Sequence, residues 1–173
     1  METLKAIEAR KSVRGFTSEK ITDEELNIIL KAGNAAPIGM GRFDDIAFNV
    51  IEDRQLLDKI SAAAVKGTER EGKDIYYGAQ TVVVVSSLPQ ASDALTYANG
   101  GTILENFLLA ATDIGVDSVF IFGTVRGFDN EPGLLKEAGI PEGHKIISSA
   151  ALGHGMPEAA GVPKKERNIT INR

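Results

Sequence analysis

The chain has 173 residues, a formal charge of −5, two His and no Cys. That length suits one domain, 1–173, with room for a sizeable core, and the missing Cys removes disulfides, thiolate catalysis, iron–sulfur clusters and cysteine zinc sites. The acidic balance argues against a broadly basic nucleic-acid-binding surface, and no run approaches ~18 uninterrupted apolar residues, so neither nucleic acid nor membrane is an expected partner.

In chain order, the N-terminus lacks the apolar core of a signal peptide, which points to the cytoplasm. Residues 3–10 read as a short helix with Leu4, Ile7 and Ala6 facing inward. Thr22-Asp23-Glu24-Glu25 has the spacing of a capping box and opens a helix through about Ala32, with Leu26, Ile29 and Leu30 as its apolar stripe and Gly33-Asn34 as its stop. Residues 35–42 form a loop holding Pro37, Gly39 and Gly41. The alternating stretch 46–51 predicts a strand, and Asp53 caps a helix reaching Lys66. Thr81 to Val85 is a β-branched run suited to a central strand buried on both faces.

The stretch 102–114 predicts a helix that is apolar nearly all round, with Glu105 and Asp113 its only charges, as expected for burial in a subunit interface. A strand over 116–122, a short helix over 131–138 and a last strand over 145–152 follow. The tail becomes basic at Lys164-Lys165-Glu166-Arg167. Helices and strands intermix in a three-layer α/β arrangement.

The densest chemistry is Arg10-Lys11-Ser12-Val13-Arg14, three cations and a hydroxyl in five residues. Arg forks and a Ser hydroxyl match the oxygens of one phosphate. The same residues also suit a solvated basic helix end. His144 and His154 have no acid or nucleophile at a recognisable spacing. Gly39-Met40-Gly41 and Gly153-His154-Gly155 do not extend to the phosphate loop of a dinucleotide-binding fold.

Six blocks in order carry a family resemblance. They are Arg10-Lys11-Ser12-Val13-Arg14-Gly15-Phe16; Ala35-Ala36-Pro37 after a capped helix; Tyr77-Gly78-Ala79 before the Val run; Glu105 to Ala111 leading to Gly115-Val116-Asp117-Ser118; Gly139-Ile140-Pro141-Glu142-Gly143; and Leu152-Gly153-His154-Gly155-Met156-Pro157. Together they resemble the flavin-dependent nitroreductase family across nearly the whole chain. The resemblance implies an α+β fold with a mainly antiparallel central sheet between helical layers. It also implies an intertwined homodimer with FMN at the subunit interface, and NADH or NADPH as hydride donor to a small-molecule acceptor such as a nitroaromatic, quinone or enone.

The resemblance also assigns residues. Arg10, Ser12 and Arg14 are expected on the FMN phosphate and ribityl chain, with Lys11 in the same motif. Arg167 and Lys165 are expected to close over that phosphate, although a solvated charge run remains the alternative. Backbone at Ile121, Phe122, Gly123 and Thr124 is expected against the flavin edge, where Gly123 permits close approach. Arg126 could meet flavin or solvent. Pro37, Ile38 and Gly39 belong to the loop that reaches the partner's flavin. There the chain departs from its family: Ile38, Gly41 and Phe43 replace the usual Ser, Asn and Gln, making the cleft more apolar. Those departures keep open a second reading, a flavin-binding module without turnover, and a third, a scaffold that has lost its cofactor.

Overall fold

A computed structural model describes residues 2–157 and 167–172. Its centre is a four-stranded sheet in the order β1-β2-β4-β3, formed by β1 (Ile46–Ile51), β2 (Thr81–Ser87), β3 (Asp117–Phe120) and β4 (Lys145–Gly153). All three pairings are antiparallel. β2 is buried along its whole length, and its pleat divides the Val run between two cores. Val82 and Val84 face a cluster that includes Leu57, Ile60 and Phe128, whereas Val83 and Val85 face one that includes Ile29, Ile103 and Phe107. Strand alternation sends successive side chains to opposite faces, so a continuous β-branched run is the sequence of a strand covered on both sides. The expected α+β class with an antiparallel sheet is therefore the observed one.

The helices form the outer layers. One face of the sheet carries α3 (Arg54–Val65), α5 (Gly123–Asn130) and α6 (Gly133–Glu137); the other carries α2 (Asp23–Asn34) and α4 (Asp93–Asp113), with α1 (Thr3–Ala9) against α4. The predicted capping box is formed: the Thr22 hydroxyl accepts from the Glu25 N–H at 3.2 Å and the Glu25 carboxylate accepts from the Thr22 N–H at 2.7 Å. Asp53 caps α3 through the N–H groups of Gln55 and Leu56. No helix among the described residues is long and apolar enough to cross a membrane.

Three expectations need correction. α4 begins at Asp93, capped by Ser92, nine residues before the predicted start at 102. Gly100 and Gly101 mask it in the sequence, but a Cβ on Gly100 would stand 3.2 Å from Ile147 Cδ1, so glycine there lets α4 lie close on β4. β3 ends at Phe120 and the chain turns into α5, a helix that the strand prediction over 116–122 partly obscured. In α1 only Ala6 is buried, whereas Leu4 is 73% exposed and Ile7 also faces outward.

Candidate functional site

The basic segment 10–14 is laid along the sheet edge rather than left in solvent. Val13 and Phe16 are buried, the Val13 N–H donates to the Ser118 carbonyl at 3.1 Å, and Ser12 bridges Ser118 in parallel. Burying every third side chain leaves Lys11 and Arg14 exposed and Arg10 and Ser12 half-buried. The Arg10 guanidinium is held by Glu105 of α4, Nε to Oε1 3.4 Å. Arg14 is exposed and forms no ion pair among the described residues.

The loop after α2 is pinned to the same helix. The Gly39 N–H donates to Asn99 Oδ1 at 2.9 Å, and the Thr102 hydroxyl contacts the Pro37 carbonyl at 3.1 Å. A Cβ on Gly39 would stand 2.5 Å from Leu95 Cδ1. Ile38 turns inward onto the α2–α4 core and lines a small cavity of about 160 Å³ together with Phe43, Ile46 and Phe48. Met40 adopts φ 63°, a left-handed conformation that L side chains avoid at about 1–2 kcal/mol, and projects outward, 71% exposed. The loop thus offers Met40 and part of Phe43 as its outer surface.

The third element is the junction of β3 and α5. Ile121 is buried, Phe122 is exposed at the N-cap of α5, and Phe122 supplies no side-chain cap. The first N–H groups of the helix are therefore left for other acceptors. A Cβ on Gly123 would meet nothing closer than 3.5 Å, so packing within the chain does not demand glycine there. The Thr124 side chain is committed inward: its hydroxyl lies 2.7 Å from Ser149 Oγ and 3.1 Å from Tyr76 OH, and Ser149 Oγ donates to the Ile121 carbonyl at 3.0 Å. Burial pushes the Tyr76 phenol well above its ordinary pKa, against the smaller opposing effect of its Thr124 hydrogen bond, so it stays protonated and donates. Thr124 can offer a ligand only its backbone.

One helix unites these elements. Between Tyr97 and Glu105, about 12 Å of α4, lie the contact of Tyr97 with Phe122 (ring centroids 5.8 Å apart), the Asn99 and Thr102 anchors of the 37–39 loop, and the Glu105 partner of Arg10. Phe120 stacks on Phe122 at 6.5 Å, so three partly exposed aromatic rings stand together at this end of the sheet. Sequence reading missed Tyr97 and Asn99 because it began α4 too late. Arg167 is exposed in the final stretch beside Ile169 and Ile171; Lys165 lies outside the described residues.

Two larger concavities lie on the α3 side. The largest, about 800 Å³, runs past Lys59, Lys66, Asp74 and Leu134 and includes none of the sequence-predicted residues. A second, of about 600 Å³, lies between the 67–70 turn and the start of α5, and Gly123 forms part of its wall.

The antiparallel α+β domain thus sets an anchored basic edge, a pinned loop and an uncapped helix start along one helix. The model of the Nitroreductase family matches residues 7–154, and this chain belongs to that family. A protein of Archaeoglobus fulgidus named for NADH dehydrogenase or NAD(P)H nitroreductase activity is 31% identical over 91% of this chain and 87% of its own length. The crystal structure of a nitroreductase with bound FMN from Bacteroides fragilis is 30% identical and superposes with a TM-score of 0.87 over 100% of both chains. Another with bound FMN, from Desulfitobacterium hafniense, is 28% identical with a TM-score of 0.86 over 99% of both.

Proposed function

We propose that this protein is an FMN-dependent NAD(P)H oxidoreductase that acts as a homodimer with FMN at the subunit interface and reduces small planar electrophiles such as nitroaromatics or quinones. The observation that carries the reading is that Arg10, the 37–39 loop and the Phe122 junction are each held by side chains of α4 in a chain that superposes end to end on FMN-bound relatives.

The donor set fits a flavin phosphate. Arg10, Ser12 and Arg14 offer two guanidinium forks and a hydroxyl on a segment whose backbone is fixed by Val13 and Phe16. Fixed donors lose little freedom on binding. Glu105 orients Arg10 while leaving it half exposed. The uncapped N–H groups at Gly123 and Thr124 suit an acceptor on the flavin edge. When bound, FMN would supply the hydride chemistry that links NAD(P)H to the acceptor, and one shared cleft would make the kinetics ping-pong. The chain's own part is to bind and orient the ring and to keep water out; Met40, Phe43, Phe120 and Phe122 provide apolar surface for that. Ile38 packs inward and offers the partner no hydrogen bond, so the acceptor is held by stacking more than by polar contacts.

The dimer is supported by what α4 leaves uncovered. Ala94, Ala98, Gly101 and Thr102 are exposed in one stripe, and among the described residues nothing beyond the adjoining helix backbone lies within 4 Å of a Cβ on Gly101. An exposed mid-helix glycine lowers helix stability by about 1 kcal/mol without return inside the subunit; a second helix approaching there makes use of it. The direct test is flavin titration of Arg14→Ala. The reading expects a tenfold or larger loss of FMN affinity, and unchanged affinity sinks the phosphate assignment.

A further inference from the structure

We propose that the cavity on the inner side of the 38–43 loop is a binding site for one small neutral aromatic ring, a benzene or an alkylbenzene, separate from the cofactor cleft. The cavity is walled by residues of a single chain, so the inference does not rest on the oxidoreductase reading above.

The cavity measures about 160 Å³, and Ile38, Phe43, Ile46, Phe48 and Ile103 form its apolar wall. Ile103 is buried, and Phe48 is braced by an edge-on contact with Phe107, ring centroids 5.1 Å apart. Ala36 completes the wall with a side chain that ends at Cβ. Among the lining residues Asn34 carries the one polar side chain, and none is ionisable. Asn34 and Phe43 are also the exposed members of the wall, so they mark the mouth. The chain end of α2 that borders the cavity is already bonded: the Gly33 carbonyl accepts from the Ala36 N–H at 3.0 Å.

Size and chemistry select the ligand. A protein cavity of about 150 Å³ lined by Leu, Ile and Phe stays dry and takes up benzene. Three isoleucines and two phenylalanines give this cavity the same kind of lining at nearly the same size. A ring seated there supplies the dispersion contacts that a void denies to its walls. A charged ring such as benzoate would lose its hydration and find no counter-ion among the lining residues. The position adds a consequence. Ile38 and Phe43 flank Met40, which is 71% exposed on the outer side of the same loop. A ring behind the loop therefore holds it from beneath and restrains its opening.

The test is calorimetric titration of the purified protein with benzene and, separately, with benzoate. Benzene binds and benzoate does not. At about ten times its dissociation constant, benzene raises the thermal unfolding midpoint by about 3–6 °C. Ala36→Leu, which extends a side chain from the cavity wall, weakens benzene about tenfold or more. Amide hydrogen exchange over residues 34–48 of the wild type slows when benzene is bound, a readout that needs no variant. Absence of benzene binding overturns the proposal. So do an affinity in folded Ala36→Leu equal to wild type, benzoate binding as tight as benzene, and exchange slowed only outside 34–48. Benzene that displaces bound flavin or shifts its visible spectrum belongs to the cofactor cleft and also overturns it. The titration itself needs no flavin, so a protein that takes up no FMN yet binds benzene in this way overturns the oxidoreductase reading and leaves this one standing.

Discussion

The hydroxyl chain Tyr76–Thr124–Ser149 offers the sharpest stability prediction, because its directions are forced. Ser149 has one hydroxyl proton and donates it to the Ile121 carbonyl at 3.0 Å. It must then accept from Thr124 at 2.7 Å, and Thr124 must accept from Tyr76 at 3.1 Å. Tyr76→Phe removes only the terminal donor and orphans nothing, for a loss of about 1 kcal/mol. Thr124→Val leaves the buried Tyr76 proton without an acceptor, at about 2 kcal/mol. Ser149→Ala orphans two groups, the Thr124 proton and the Ile121 carbonyl, and is expected to cost about 3 kcal/mol. With a urea slope of roughly 2 kcal/mol/M, the unfolding midpoint should fall by about 0.5 M, 1 M and 1.5 M respectively, measured at one protein concentration. A Ser149→Ala variant no worse than Tyr76→Phe refutes the direction of the chain. Since the chain ends on Ile121, the three variants should also loosen flavin in the same order.

Other predictions follow from separate contacts. The Glu25 carboxyl is held below its ordinary pKa by the Thr22 backbone N–H and then by the Thr22 hydroxyl. Its folded value is the lower one, so the stability it contributes is present above the unfolded pKa and lost as pH falls through the folded one. Glu25→Gln should lower stability at pH 7 and flatten the acid limb of thermal unfolding below about pH 4.5; an acid limb identical to wild type contradicts the cap. Gly127→Ala brings a Cβ to 2.6 Å from the Ile60 carbonyl oxygen at the crossing of α3 and α5. Neither backbone can give, and a loss of 2 kcal/mol or more is expected in denaturant melts; a neutral result refutes that crossing. Gly101→Leu should leave the fold intact by circular dichroism and shift the sedimentation mass from dimer to monomer, whereas an unchanged dimer removes α4 from the interface.

Local rules made much of this fold readable. The capping box at Thr22, the Asp53 cap and the Val82–Val85 run each carry their own physics, and each is where the sequence places it. What failed was governed by contacts distant in sequence. Gly100 looks like a helix breaker until Ile147 is seen against it, and α5 is hidden because Val119, Ile121 and Val125 are apolar at spacings that suit a strand followed by a loop. The basic motif stood out in the sequence, but its anchoring to Glu105 and Ser118 did not. Arg70 and Arg126, 56 positions apart in the sequence, become neighbours of one cleft only through the packing of α3 against α5. The departures at Ile38, Gly41 and Phe43 read as lost polar contacts; the structure adds that Ile38 packs inward while Met40 takes the outer position.

The central claim is tested most directly by the absorbance spectrum of the purified protein, supplied with FMN if needed and then given NADPH and NADH in turn without oxygen. The account predicts bound-flavin bands that bleach with at least one nucleotide and return when a quinone or nitroaromatic is added. A protein that takes up no FMN, or one whose bound flavin neither nucleotide reduces although dithionite does, contradicts it.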